Sequence, residues 1–274
     1  MSLYHYTDVQ ALHSILETQK IRLTDIRYLN DSQELHDGLN ILTEQLKVPI
    51  PGIFSNYDYK DKAIDYIRSA LEEHISFGTE EEPVFVFSLS SKSDVLSQWR
   101  AYGPYAIEFD KDVLRGEVNS LEQCIYESEK KTGKAKINVT NAITTVSQDM
   151  AENNGCLSPV GIDSLIKLVT DAAKFKNKGF IEEEESRIIM PANDSEYPNN
   201  IKYRPRDNLL IPYIELEISL DYIKSIQVGP MKNQDLAFTS MKAFVERIKR
   251  NWQIDSGNVE YELSITRSDI PYRE

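Results

Sequence analysis

The fold is decided between Phe85 and Asp110, where the chain reads Phe-Val-Phe-Ser-Leu-Ser-Ser-Lys-Ser-Asp-Val-Leu-Ser-Gln-Trp-Arg-Ala-Tyr-Gly-Pro-Tyr-Ala-Ile-Glu-Phe-Asp. Its start, with Val84 before it, is a β-branched and aromatic run between Pro83 and a serine cluster, the pattern of a buried strand. Ser93 or Asp94 is placed to cap a short helix through Trp99, Gly103-Pro104 ends that helix, and Tyr105 to Phe109 reads as a second strand. Strand, polar turn, short helix and strand in so few residues put hydroxyls and an aromatic side chain at the rim of a sheet, where ligands commonly bind.

Working outward, Leu3 to Tyr6 reads as a first strand, followed by a helix capped by Thr7 or Asp8 that carries Val9, Leu12, Ile15 and Leu16. His5 then sits on or just after that strand. Asp31 and Glu34 have the spacing of a capping box ahead of Leu35, Leu39, Leu42 and Leu46, so Asn30, Asp31 and Glu34 are open to two roles, helix cap or site. Beyond the Pro49 and Pro51 breaks, Tyr59 to Ile75 forms an amphipathic helical pattern. After Asp110 the sequence predicts a strand at Leu121 to Tyr126 and a charged, exposed connector at Glu127 to Lys136. Two helices follow, Ile137 to Ala151 and Ile162 to Phe175, forming a helical insertion at about residues 130–176.

Glu182 to Glu185 then runs without Gly or Pro into Arg187-Ile188-Ile189-Met190. As a strand, this segment places Glu183, Glu185 and Arg187 on one face. The remainder reads as strands at Ile201 to Tyr203, Ile211 to Ile218 and Ile226 to Val228. A helix bearing Ala237, Met241, Phe244, Val245 and Ile248 follows, and a last strand spans Val259 to Ile265. With no repeat and no linker, the expectation is a single α+β domain over 1–274, built on a central, mostly antiparallel sheet with flanking helices.

The 274 residues carry 31 Lys+Arg against 44 Asp+Glu, a net charge of −13 that opposes nonspecific binding to a nucleic-acid duplex. Two cysteines without CxxC spacing signal neither zinc nor a disulfide framework, and four histidines signal no histidine-rich metal site, so no metal ligands are assigned. The absence of a long apolar run or a signal-like start leads us to expect a cytoplasmic protein without a membrane partner.

The motifs form an ordered set: His5-Tyr6-Thr7, Asn30-Asp31-Glu34, Phe87-Ser88 with Trp99-Tyr102-Gly103, Glu183-x-Glu185-x-Arg187, and Gly229-Pro230. In this set the chain resembles the bacterial DUF2971 family, whose function is unknown. More loosely, the order His, Ser-x-Ser, Glu-x-Glu is similar to that of the ADP-ribosyltransferase fold, which implies a sheet of the split kind. The resemblance implies transfer of ADP-ribose from NAD, as substrate, to an unknown protein or nucleic-acid acceptor, and with it a toxin or phage-defence role. Glu185 would stabilise the oxocarbenium charge that develops on the nicotinamide ribose, and Glu183 would orient or activate the acceptor. His5 and Thr7 would hold NAD, Ser88 would support the glutamate, Trp99 or Tyr102 would stack on nicotinamide, and Arg187 would complete the binding set. The sequence departs from that pattern in lacking a tyrosine in the second motif's usual place.

Two other classes compete. Asp31, Glu34, Glu183 and Glu185 around Mg²⁺ would make a metal-dependent nuclease or phosphoesterase. A non-catalytic module that senses a nucleotide or binds a partner is favoured if Glu185 is buried in a salt bridge with Arg187.

Overall fold

A computed structural model describes residues 1–29, 33–48, 57–77, 83–118, 120–191 and 201–271. Asn30 and Asp31 lie outside the described residues, as do Pro49 and Pro51. The architecture is α+β. Its strands are β1 (Ser2–Thr7), β2 (Lys20–Asp25), β3 (Val84–Ser90), β4 (Tyr105–Asp110), β5 (Leu121–Gln123), β6 (Glu185–Pro191), β7 (Lys202–Arg206), β8 (Leu209–Glu217), β9 (Ile223–Val228) and β10 (Ser264–Arg267). Its α-helices among the described residues are α1 (Val9–Thr18), α2 (Glu34–Leu46), α3 (Lys60–Phe77), α4 (Leu96–Tyr102), α5 (Lys111–Glu117), α6 (Ser128–Glu152), α7 (Pro159–Ala172) and α8 (Gln234–Ser256). None of these helices is long and apolar enough to cross a membrane.

The strands form one large sheet in the order β10-β9-β4-β1-β3-β2-β8-β7, with β6 paired to β3 and β5 paired to β6. Every strand pairing is antiparallel except that of β9 with β10. The centre is β3. Strand β6 pairs with it from Val84 to Ser90 and so fills one edge. On the other edge β2 pairs at Phe85 and Val86, whereas β1 pairs only at Ser90. Two wings, β1-β4-β9-β10 and β2-β8-β7, therefore meet a single edge of β3 and part between Val86 and Ser90, which makes the sheet a split one.

The alternation along β3 builds a core on each face. Phe85, Phe87 and Leu89 join Leu12, Ile15 and Leu16 of α1, Leu114 of α5 and Met241, Val245 and Ile248 of α8. Val84 and Val86 face a second core with Leu39 and Leu42 of α2, Ile67 and Leu71 of α3, Val139, Ile143 and Val146 of α6, and Leu168 of α7. Because successive side chains on a strand point to opposite faces, Ser88 and Ser90 emerge on the second face, beyond the helices that cover Val84 and Val86. There α4 lies over a smaller cluster of Tyr6, Trp99 and Ala106. A cleft opens beside α4, between β1, the end of β3 and the start of β6.

Several boundaries differ from those the sequence predicts. Glu127 to Lys136 is largely exposed, as expected, but it is helix rather than connector: α6 starts at Ser128, its charges lying on the outer face while Ala135 and Val139 are buried at helical spacing. The last strand is Ser264–Arg267 rather than Val259 to Ile265, because Tyr261 and Leu263 anchor the preceding turn in the core before the chain reaches β9. Helix α4 is capped by neither Ser93 nor Asp94: Val95 is the cap residue, and Asp94, at φ +53°, turns its carboxylate inward. Helix α2 begins after Gln33 with no side-chain cap, and Glu34, which a capping box would leave at the surface, is buried.

Candidate functional site

A cleft of about 330 Å³, its mouth included, is lined by Tyr4, His5, Tyr6, Ser88, Leu89, Ser90, Gln98, Tyr102, Glu183 and Glu185. Residues from the start, middle and later part of the chain thus meet at one place. The split makes this possible. Where β1 leaves β3, the ladder bonds stop, and the His5 ring bridges the gap with Nδ1 2.9 Å from the Ser88 carbonyl oxygen. A carbonyl can only accept, so Nδ1 carries the proton and Nε2 is left as an acceptor. The ring stacks on Phe87 with centroids 4.1 Å apart. Burial, reinforced by the positive charge of Arg204, brings the His5 pKa down to about 4, so the imidazole is neutral at pH 7.

The acidic segment reaches the same place by a turn rather than a strand. Residues Lys178–Glu183 form a 3-10 helix, and Glu184 adopts a left-handed conformation at φ +40° before β6 begins at Glu185. Glu183 therefore does not share a strand face with Glu185 and Arg187, contrary to the alternation expected from the sequence. The reversal nevertheless returns its carboxylate to the cleft, where Tyr102 Oη donates to it at 3.0 Å and Lys176 Nζ at 2.6 Å. The Ser90 hydroxyl donates to the Glu183 carbonyl at 2.6 Å, tying β3 to the turn. Among the described residues neither Ser88, expected to support Glu185, nor Ser90 bonds the Glu185 carboxylate through its hydroxyl.

Beneath the cleft lies a network of ion pairs. Glu185 is 3% exposed and Arg187 1%. Arg187 Nε donates to Glu185 Oε1 at 2.7 Å, its Nη2 to Glu185 Oε2 at 3.1 Å and to Glu34 Oε2 at 2.7 Å, and its Nη1 to the Ala173 carbonyl at 2.8 Å. Lys176 Nζ bonds Glu185 as well as Glu183. Burial by itself would raise the Glu185 carboxyl, but Arg187 and Lys176 hold it down at about 2. Burial works against the Lys176 ammonium, yet Glu185, with Glu34 and Glu183, keeps it above the ordinary lysine range. Glu34 moves the other way: its burial outweighs Arg187 and raises its pKa, and its Oε1 is buried without a partner among the described residues.

Of the residues singled out from sequence, His5, Ser88, Tyr102, Glu183 and Glu185 line the cleft. Arg187 lies under it as the counter-ion of Glu185. Thr7 is buried, and its carbonyl packs against Gly103, whose backbone at φ +128° leaves only 2.5 Å between that oxygen and any added Cβ. Trp99 is no stacking platform. It is buried, meets Tyr6 edge-on at 4.6 Å, donates from Nε1 to Asp94 at 2.9 Å and packs on Gly229. Asp94 also takes the Ser268 hydroxyl and the Asp269 N–H, so it pins the end of the chain to α4.

Sequence reasoning missed Tyr4, Tyr6, Gln98 and Lys176. The two tyrosines alternate around His5, a legible sign that they share a face. Lys176 carries no such sign, since its partners are chosen by the turn that follows it.

Among the described residues no group of His, Cys, Asp and Glu is arranged to hold a metal ion. The geometry explains why. Arg187 stands between Glu34 and Glu185, and Lys176 between Glu183 and Glu185, where a shared cation would have to lie. Asp31 lies outside the described residues.

Fold and cleft together define an α+β protein whose split sheet carries a small tyrosine-lined cleft above a buried ion network. The profile of the DUF2971 family, described as "Protein of unknown function (DUF2971)", matches residues 98–188 and supports the family resemblance read from the motifs. That segment contains Trp99, Tyr102, Glu183, Glu185 and Arg187. No curated protein and no solved structure matches the chain.

Proposed function

We propose that the cleft binds the nucleoside end of NAD or a related nucleotide, and that it serves as a sensing site rather than one that turns its ligand over. The observation that carries this reading is the state of Glu185. Glu185 lines the cleft, yet both oxygens of its carboxylate are held by Arg187 and Lys176. A charge so compensated has little left to stabilise an oxocarbenium centre, although its oxygens remain available as hydrogen-bond acceptors.

The lining also restricts the ligand. Among the described residues it offers three tyrosines, two serines, an amide, a neutral imidazole and two carboxylates, and the neighbouring Lys176 is engaged by Glu183 and Glu185. Such walls suit a planar ring and hydroxyls, neutral or cationic, and disfavour a phosphate inside the cleft. Nicotinamide riboside has this character: a cationic ring and a ribose.

ADP-ribosyl transfer is the second reading, favoured by the meeting of His5, Ser88 and Glu185 in one cleft. On that reading Glu183 and Glu185 keep the roles expected of them, and a protein or nucleic-acid acceptor enters at the mouth. A toxin or phage-defence role would follow from this second reading.

One experiment separates the two. Binding of NAD and nicotinamide riboside is measured by titration calorimetry, and nicotinamide release from labelled NAD is followed with candidate acceptors present, for wild type and Glu185→Gln. Binding without release is the expected result. Release that disappears in Glu185→Gln would replace sensing by transfer. If neither ligand binds, both readings fall.

A further inference from the structure

The wing formed by β2, β8 and β7 carries an arrangement of cations that the cleft does not use. In the sequence Lys202-Tyr203-Arg204-Pro205-Arg206 the basic residues alternate, so all three share one face of β7, the edge strand of the wing. The registers place Thr24 and Arg22 of β2 and Tyr213 and Glu215 of β8 on that same face. Basic residues and a proline on an edge strand ordinarily keep sheets from pairing. Lys202 fits that role, turned to Glu215 at 2.7 Å.

Arg204 does not. Its guanidinium reaches back across β8, and Nη2 donates to Thr24 Oγ1 on β2 at 3.2 Å. Its Nε is buried without a partner among the described residues. Arg22, stacked over the Tyr213 ring at 5.1 Å, and Arg206 add repulsion, offset in part by Asp8 at the start of α1. Glu215 of β8 is shared between Lys202 and Arg22, the latter 3.9 Å away. Like charges gathered around a buried unmet donor leave a place for an anion with several acceptor oxygens. Thr24 pairs with Val86 of β3, two residues before Ser88, so this place adjoins the parting of the sheet on which His5 and the cleft also border.

We propose that Arg204, flanked by Arg22 and Arg206, binds phosphoryl oxygens, and that these are the phosphates of the nucleotide whose nucleoside end occupies the cleft. The proposal rests on the cleft reading for the identity of the ligand, but not for the existence of the phosphate site. It divides the work of recognition: the cleft takes the ring and ribose, and a cationic crotch takes the charge.

The test uses the full chain and titrates nicotinamide riboside, NAD, ADP, inorganic pyrophosphate and a short oligo(dT) against wild type, Arg204→Gln, Arg204→Lys and Arg206→Gln. The expected result is that Arg204→Gln weakens NAD and ADP by roughly tenfold or more, from the loss of charge-assisted hydrogen bonds, with nicotinamide riboside unaffected and Arg206→Gln showing a smaller loss. If nicotinamide riboside does not bind but ADP and pyrophosphate bind in an Arg204-dependent way, the phosphate site stands and the cleft reading falls. If only oligo(dT) depends on Arg204, the phosphates belong to a nucleic acid and the dinucleotide assignment is overturned. If wild type and Arg204→Gln bind NAD and ADP equally, or wild type binds no phosphate compound, the site itself is overturned. Should Arg204→Gln fail to fold, Arg204→Lys and Arg206→Gln decide, and unchanged affinity for ADP in both overturns it.

Discussion

Two groups of charged side chains lie near the parting in the sheet, one on β6 and the helices behind it and one on the β2-β8-β7 wing, and they are built on opposite plans. Under the cleft, Arg187 and Lys176 each bridge two carboxylates, and burial is nearly complete. On the wing, Arg204 is half-buried beside other cations, and its Nε has no partner among the described residues. Charges that satisfy one another fix the position of β6 against α2, and their removal should be felt as lost stability. Charges held apart from counter-ions add little to folding, and their removal should be felt in binding.

The strongest way to break this comparison is Arg187→Met. It leaves Glu185 and Glu34 buried without their shared cation, and the expected loss is about 3–5 kcal/mol, read from urea unfolding. A loss under about 1 kcal/mol, the range of an exposed pair, would mean that the network is wetter than its burial indicates.

Acid unfolding sharpens the same side. Relative to an ordinary value of 4.5, the Glu185 carboxyl is lowered to about 2, so the native state binds fewer protons than the unfolded chain in that window. Its contribution is complete above pH 4.5 and is lost as pH falls toward 2. Glu34 has the opposite sign: its raised pKa makes its contribution fall as pH climbs above 4.5. Glu34→Gln should therefore flatten the stability profile on the alkaline side of that value and leave the acid limb in place. A urea midpoint measured against pH for wild type and Glu34→Gln tests both statements.

Next in size is Gly103→Ala, which probes the join between α4 and β1. The added methyl meets the Thr7 carbonyl at 2.5 Å in a backbone conformation that favours glycine. The expected loss is about 1–3 kcal/mol, together with weaker nicotinamide riboside binding, because Tyr102 immediately precedes the shifted turn. The smallest stability effect belongs to Arg204→Met, expected within about 0.5 kcal/mol of wild type and in the stabilising direction, since it removes both repulsion and an unmet donor. Pyrophosphate should raise the melting temperature of wild type and not that of Arg204→Met.

Much of the fold was legible. The β-branched and aromatic run Val84-Phe85-Val86-Phe87, bounded by Pro83 and serines, read as a buried strand, and the apolar spacing in α1, α3 and α8 announced helices with one buried face. The candidate site was legible in part. His5, Ser88, Tyr102, Glu183 and Glu185 meet in the cleft, but Trp99 turned inward and Thr7 is buried. Trp99 was misleading because an indole beside a polar turn looks the same in sequence whether it faces solvent or Asp94. Glu34 was misleading for a related reason: three residues after an aspartate it resembles a cap, and nothing local reveals an arginine 153 positions later.

What the sequence determined by itself was therefore whatever depends on neighbours along the chain. It set which segments are strands and helices, which face of each is apolar, and that hydroxyls would emerge where β3 ends. Only the tertiary structure decided that β1 and β2 would share one edge of β3, that Glu183 would return to Glu185 through a turn, and that Lys176 and Arg187 would neutralise the proposed catalytic carboxylate. Backbone propensity and side-chain periodicity act over a few residues and leave a local pattern. The partner of a buried charge is set by which strands lie side by side, and that choice leaves no mark near the charge itself.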